Sequence, residues 1–121
     1  MAIILVVEDD ALIRMVAEMM LQDFGHETLS ASDVEEAVAI LRSPQRIDAL
    51  FTDIYLKTAV LGGCDLADQA IKLRPRLRVL YTTGNSLTEK MKALFIVGTH
   101  FLGKPYTEQQ LQHSVEEMLA V

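Results

Sequence analysis

Carboxylates, a hydroxyl and a lysine stand at the ends of apolar runs in this sequence, where buried segments would deliver side chains capable of chemistry. Ile3-Ile4-Leu5-Val6-Val7 runs into Glu8-Asp9-Asp10, and Ala49-Leu50-Phe51-Thr52 stops on Asp53. Leu77 to Thr82 is followed by Thr83-Gly84, and Thr99 to Leu102 leads into Gly103-Lys104-Pro105. Carboxylates gathered in one crevice raise one another's pKa unless a cation neutralises them. An oxygen-lined site with room for water suits Mg²⁺, which keeps part of its hydration shell and accepts a phosphate oxygen as a further ligand. A carboxylate beside such an ion can act as a nucleophile and form an aspartyl phosphate, with the cation neutralising the transferring oxygens. Lys104 would then bring a point charge to the phosphoryl group, and Thr83 a hydroxyl hydrogen bond.

These groups meet only if the intervening elements place them on one rim. The apolar run 2–7 is a strand covered on both faces. From Ala11 the period changes, and Ile13, Val16, Ala17, Met20, Leu21 and Phe24 predict one buried helical stripe closed by Gly25. Residues 27–31 form a second strand, and Ser32 with Glu35 fits a capping box opening a helix that buries Val34, Ala37, Val38 and Leu41. Leu66, Ala67, Ala70 and Ile71 face inward on a third helix that ends at Arg74-Pro75. A fourth helix spans about 86–96, and Thr107 caps a fifth with Leu111, Val115, Met118 and Leu119 inward. The result is an α/β fold of the (βα)5 type: a doubly wound, five-stranded parallel sheet of order 2-1-3-4-5. In that order the carboxyl ends of strands 1, 3, 4 and 5 open on one edge, so Glu8, Asp9, Asp10, Asp53, Thr83 and Lys104 converge there.

Composition narrows the function further. The 121 residues suit a single domain over 1–121, with no effector domain expected. A net charge of -6 argues against direct nucleic-acid binding, which relies on clustered Lys and Arg. The longest apolar run is too short to span a bilayer, and the single cysteine, Cys64, fits a reducing compartment and a small buried role; a cytoplasmic protein is expected. His26, His100 and His113 show no metal-site spacing. Met15 and Met19 fall off the apolar stripe of the first helix and suit a partner surface.

The pattern resembles the receiver domains of bacterial two-component response regulators, of the stand-alone type, and the resemblance covers essentially the whole chain. Glu8 and Asp9 match the family's acidic pair, Asp53 its phosphoacceptor, Thr83 with Gly84 its switch Thr/Ser and the small residue after it, and Lys104-Pro105 its Lys-Pro. Phe101 falls at the aromatic switch position. The resemblance implies the flavodoxin-like receiver fold and transfer of a phosphoryl group to Asp53 from a histidine kinase or histidine phosphotransfer protein. It also implies Mg²⁺, or Mn²⁺ in its place, held by Asp9, Asp53, the main-chain carbonyl of Tyr55 and, through water, Glu8. Such a protein is a phosphoacceptor that assists its own phosphorylation and dephosphorylation and not an enzyme. It signals through the face formed by the fourth helix, fifth strand and fifth helix to a downstream protein, and homodimerisation stays open.

Two features set this sequence apart from the family pattern. The loop after Asp53 carries Lys57 and Leu61 where the family has Pro and Gly, and Gly63 looks like that glycine displaced by a two-residue insertion. Tyr55 and Asn85 fall where receiver domains have the side chains that flank the path of hydrolytic water, and by that resemblance a bulky Tyr55 is expected to lengthen the phosphorylated state. The rival reading is a receiver-like module that binds a partner without being phosphorylated. An aspartate-nucleophile phosphatase would need a second Asp at position 55, and a flavodoxin-type nucleotide binder would be repelled by Glu8-Asp9-Asp10.

Overall fold

A computed structural model of the chain describes residues 1–56, 62–84, 92 and 99–120. Its elements alternate: β1 (Ile3–Val7), α1 (Ala11–Asp23), β2 (Glu27–Ala31), α2 (Val34–Arg42), β3 (Ala49–Asp53), α3 (Gly62–Leu73), β4 (Arg78–Thr83), β5 (His100–Gly103) and α4 (Glu108–Leu119). The five strands pair in parallel in the order β2-β1-β3-β4-β5, as the alternation predicts. The expected helix over 86–96 lies outside the described residues, so the C-terminal helix is numbered α4.

Strand residues alternate between two cores, which is why β1 and β3 read as unbroken apolar runs. Leu5, Val7, Leu50, Val79 and Tyr81 pack with Ala37, Val38 and Leu41 of α2 and Leu66, Ala67 and Ala70 of α3. Ile4, Val6, Ala49, Phe51 and Leu80 pack with Ala17 and Leu21 of α1 and with Leu111, Val115 and Met118 of α4. Each fully buried Leu or Ile contributes roughly 1.5–3 kcal/mol of transfer free energy, so both faces of the sheet are fixed and the strand register with them.

The helix starts hold in type but shift in place. Asp33, not Ser32, caps α2, its Oδ1 accepting from Glu36 N at 2.8 Å, while the Glu36 side chain accepts from Ser32 N. The cap is therefore displaced by one residue from the predicted Ser32, and Glu36 in place of Glu35 reaches back to the residue before the cap. Thr107 caps α4 as expected, in a reciprocal box with Gln110. Gly25 follows α1 at φ +92°, the left-handed conformation a side chain resists. The predicted stripe of α1 is only half right. Ala17 and Leu21 are buried, but Ile13 and Val16 are 41 % and 42 % exposed. β4 and β5 each run one residue later than expected, so Thr83 and Gly103 belong to the strands. No helix among the described residues is long and apolar enough to cross a membrane.

Candidate functional site

Glu8 leaves β1 at the carboxyl edge and is 6 % exposed. Its N–H donates to Ala31 O at 3.2 Å, continuing the ladder with β2, and its carbonyl accepts from the Arg14 guanidinium at 2.6 Å. Its Oε2 accepts from Asp10 N at 3.2 Å. The acidic turn is thus fixed before any ligand arrives. Asp10, predicted to join the acidic cluster, is instead the N-cap of α1: its Oδ1 accepts from Leu12 N and Ile13 N at 3.0 and 3.1 Å. The reason is local, since the free amides of a first helical turn take the nearest carboxylate. Asp9 remains at the rim, half-buried, with a side-chain hydrogen bond to Glu8.

Asp53 ends β3 and is 7 % exposed. Its Oδ1 accepts from Tyr55 N at 3.1 Å and its Oδ2 from Lys104 Nζ at 2.6 Å. The next residue is pinned to the neighbouring strand, with Ile54 N donating to Thr82 O at 2.9 Å. Lys104, just beyond β5, also donates to Glu8 Oε1 at 2.5 Å, and its N–H bonds Thr83 O at 2.9 Å. The peptide that follows, Lys104–Pro105, is cis. One ammonium therefore joins the ends of β1, β3 and β5, with the end of β4 held to its own main chain.

Charge distribution follows from this packing. Burial pushes the Glu8 carboxyl up; the hydrogen bond from Lys104 opposes the rise and Asp9 adds to it. Burial acts to lower Lys104, but the hydrogen bonds and charges of Asp53 and Glu8 outweigh it and hold the ammonium above the ordinary lysine range. Tyr106 is raised by burial, with Lys104 opposing and Glu8 and Asp53 adding, so its phenol lies within the field of the same cluster. Its ring tilts against Phe51, with centroids 6.1 Å apart. Sequence reasoning passed over Arg14 and Tyr106. Their signals were available in the spacing: Arg14 lies one helical turn after Asp10, and Tyr106 directly follows Lys104-Pro105.

Thr83 is buried at 2 % exposure and registers with Gly103, while Phe101 registers with Tyr81 on the same face of the sheet. Phe101 is half-buried and packs on the core that α2 and α3 share. Gly84 adjoins Lys104 without crowding it, since a Cβ there would stand 3.9 Å from Lys104 Cβ. Asn85, Lys57 and Leu61 lie outside the described residues. A groove of about 580 Å³ runs beside the cluster, lined by Leu12, Ile13, Val16, Met20, Lys104 and Tyr106. It accounts for the exposed side of α1.

Among the described residues no three acidic, His or Cys side chains stand close enough to hold a metal ion, and Lys104 bridges Glu8 and Asp53. The donor set is nevertheless of the kind a hard dication takes: oxygen only, with two carboxylates more than nine-tenths buried and a third hydrogen-bonded to one of them. An Asp53 oxygen held next to an ammonium can attack an electrophile whose negative charge that ammonium then balances.

Comparison with known proteins gives concordant results. The profile of the response regulator receiver domain matches residues 4–116. The nitrogen assimilation regulatory protein NtrX of Azorhizobium caulinodans is 28 % identical over 96 % of this chain and 26 % of its own length. The chain spans about half the length or less of the first curated relatives it matches. A response regulator receiver protein from Sinorhizobium medicae superposes with a TM-score of 0.90 at 26 % identity, covering 99 % of this chain and 95 % of that one. The receiver domain of a sensor histidine kinase from Pseudomonas aeruginosa, whose structure holds a magnesium ion in its active-site cleft, gives a TM-score of 0.84 at 26 % identity, covering 99 % and 98 % of the two chains.

Proposed function

The chain belongs to the response regulator receiver family, and on that premise we propose that it serves phosphorelay signalling by accepting a phosphoryl group on Asp53. The donor is a phosphohistidine of a histidine kinase or histidine phosphotransfer protein. An Asp53 carboxylate oxygen attacks phosphorus, a P–O bond forms, the P–N bond breaks, and the imidazole departs with the electron pair. The observation that carries this reading is the Lys104 ammonium shared by Asp53 Oδ2 and Glu8 Oε1. It supplies a cation beside the nucleophile and ties together strand ends that the sequence separates widely.

Asp9, Asp53 and the Tyr55 carbonyl would hold Mg²⁺, or Mn²⁺ in its place, with Glu8 reaching it through water; the ion would neutralise the transferring oxygens. Lys104 orients Asp53 beforehand, and Thr83 offers its hydroxyl to the new phosphoryl oxygen. The chain modifies its own aspartate and turns over no separate substrate, so it is a phosphoacceptor and not an enzyme. The apolar groove beside Lys104 and the exposed Met15 and Met19 of α1 support docking of a donor protein on this side of the molecule. Thr83 and Phe101 share a sheet face, which supports a two-state output in which Thr83 moves toward the phosphoryl group and Phe101 turns inward for a downstream protein to read.

Incubation with acetyl phosphate and Mg²⁺, followed by intact-mass measurement, tests the reading. One phosphoryl group should be gained, and the gain should vanish with EDTA or Asp53→Ala. Wild-type protein that gains nothing while its donor is consumed by a control receiver would favour the phosphorylation-independent binding module.

A further inference from the structure

Gly63 stands in the first turn of α3, directly over the main chain of the phosphoacceptor. A Cβ built at Gly63 would overlap Asp53 O and come within 2.8 Å of both Asp53 C and Ile54 Cα. Those are backbone atoms, and no side-chain rotation relieves the overlap. The other glycines for which surroundings are defined behave differently. A Cβ at Gly84 or Gly103 would make only ordinary contacts of 3.9 and 3.7 Å, and Gly25 faces open space but adopts φ +92°. Gly63 does not have a left-handed φ, so alanine would suit this helix better on propensity alone. The requirement at Gly63 is room.

The peptide plane under Gly63 is held on several sides. Thr52 Oγ1 donates to Asp53 O at 3.0 Å, Ile54 N donates to Thr82 O at 2.9 Å, and Gly63 N donates to Ile54 O at 3.0 Å. The side chain of the same residue is fixed by Tyr55 N on Oδ1 and Lys104 Nζ on Oδ2. A methyl group at position 63 can be admitted in two ways. Either α3 withdraws and gives up the bond from Gly63 N, or the Asp53 carbonyl swings away from Thr52. Both displace the residue that carries the nucleophile.

We propose that Gly63 is a positioning residue for phosphoryl transfer: its missing side chain lets α3 close on the Asp53–Ile54 peptide and so sets where the Asp53 carboxylate points. The inference rests on Asp53 being the phosphoacceptor. It concerns a residue outside the set that would hold the metal.

The test compares wild type, Gly63→Ala and Gly25→Ala in the full chain, with acetyl phosphate at saturating Mg²⁺ as the phosphodonor. The folded fraction is taken from circular dichroism. Per folded molecule, Gly63→Ala should be phosphorylated about tenfold to a hundredfold more slowly, the scale of a misplaced reacting group. Its Mg²⁺ affinity, titrated calorimetrically without donor, should fall as well. Gly25→Ala should melt at a lower temperature with an unchanged rate. Should Gly63→Ala be largely unfolded, trimethylamine N-oxide recovers the native state and the rate is read there. A Gly63→Ala protein that is less stable but reacts and binds Mg²⁺ like wild type per folded molecule overturns the inference. Wild type that takes no phosphoryl group overturns instead the reading on which it rests.

Discussion

The ammonium of Lys104 lies 2.6 Å from Oδ2 of Asp53, a contact between positions 51 residues apart that the β3, β4, β5 order of strands brings about. The same nitrogen bonds Glu8, so two buried carboxylates share one lysine. Its removal leaves like charges side by side in a poorly solvated place. Lys104→Ala should therefore lower stability at neutral pH by about 1–3 kcal/mol, the range for stranding buried polar partners. Mg²⁺ should raise the melting temperature of the variant more than that of wild type, because the ion no longer competes with the ammonium. Phosphorylation by acetyl phosphate should slow. Thermal melts with and without Mg²⁺ decide it, and an equal response to the ion in both proteins would contradict the argument.

Most of this geometry was legible in the residues. Fully buried strands such as β1 and β3 have no polar face, so their apolar runs and the charged residue that ends each could be read directly. The cap of α2 was misplaced by one residue because Ser32-Asp33 and Glu35-Glu36 offer two overlapping capping patterns, and only the direction of chain entry selects between them. Asp10 was counted with the site because sequence cannot tell a carboxylate that faces a crevice from one that turns back onto the next helix. Ile13 and Val16 obey the helical period yet stay exposed, since periodicity shows which residues share a face and not whether that face is covered. The contact under Gly63 depends on how closely α3 approaches the sheet, a distance that no spacing of residues encodes.

The separate parts played by neighbouring acids can be measured. Asp10 caps α1 through Leu12 N and Ile13 N and is exposed. Asp10→Ala should reduce unfolding free energy by about 1 kcal/mol, as loss of an N-cap does, with phosphorylation rate and Mg²⁺ affinity unchanged. Asp9→Ala should do the reverse, abolishing Mg²⁺ binding with a small effect on stability. Urea titration and calorimetry on both variants provide the comparison, and an Asp10→Ala protein that loses Mg²⁺ binding would return Asp10 to the site.

His26 gives a pH dependence remote from that chemistry. Its Nδ1 accepts from Ala2 N at 3.1 Å, which requires the neutral ring at that nitrogen, and burial, then the charge of the chain's amino terminus, lowers its pKa. The folded state thus binds a proton less readily than the unfolded state. The stabilisation is complete above the unfolded histidine value, near 6.5, and is lost as pH falls through it toward the lower folded value. Melting temperature should accordingly drop on acidification below about pH 6.5, and His26→Gln should flatten that part of the profile. Identical slopes for the two proteins would remove His26 as the cause.

The lifetime of the phosphorylated form is expected to depend on Tyr55. Its amide is tied to Asp53 Oδ1, so its side chain departs from a point fixed relative to that carboxylate, and it is half-buried against the core beneath the rim. A ring at that position is expected to narrow the approach of the water that must attack phosphorus in line with the Asp53 oxygen. Asparagine is smaller and can hydrogen-bond a water, so Tyr55→Asn should shorten the half-life several-fold while leaving Mg²⁺ affinity near that of wild type, since a main-chain carbonyl survives the substitution. The half-life is read by intact mass after the donor is removed. A Tyr55→Asn half-life equal to or longer than that of wild type would mean that water reaches the phosphoryl group by a route the ring does not guard.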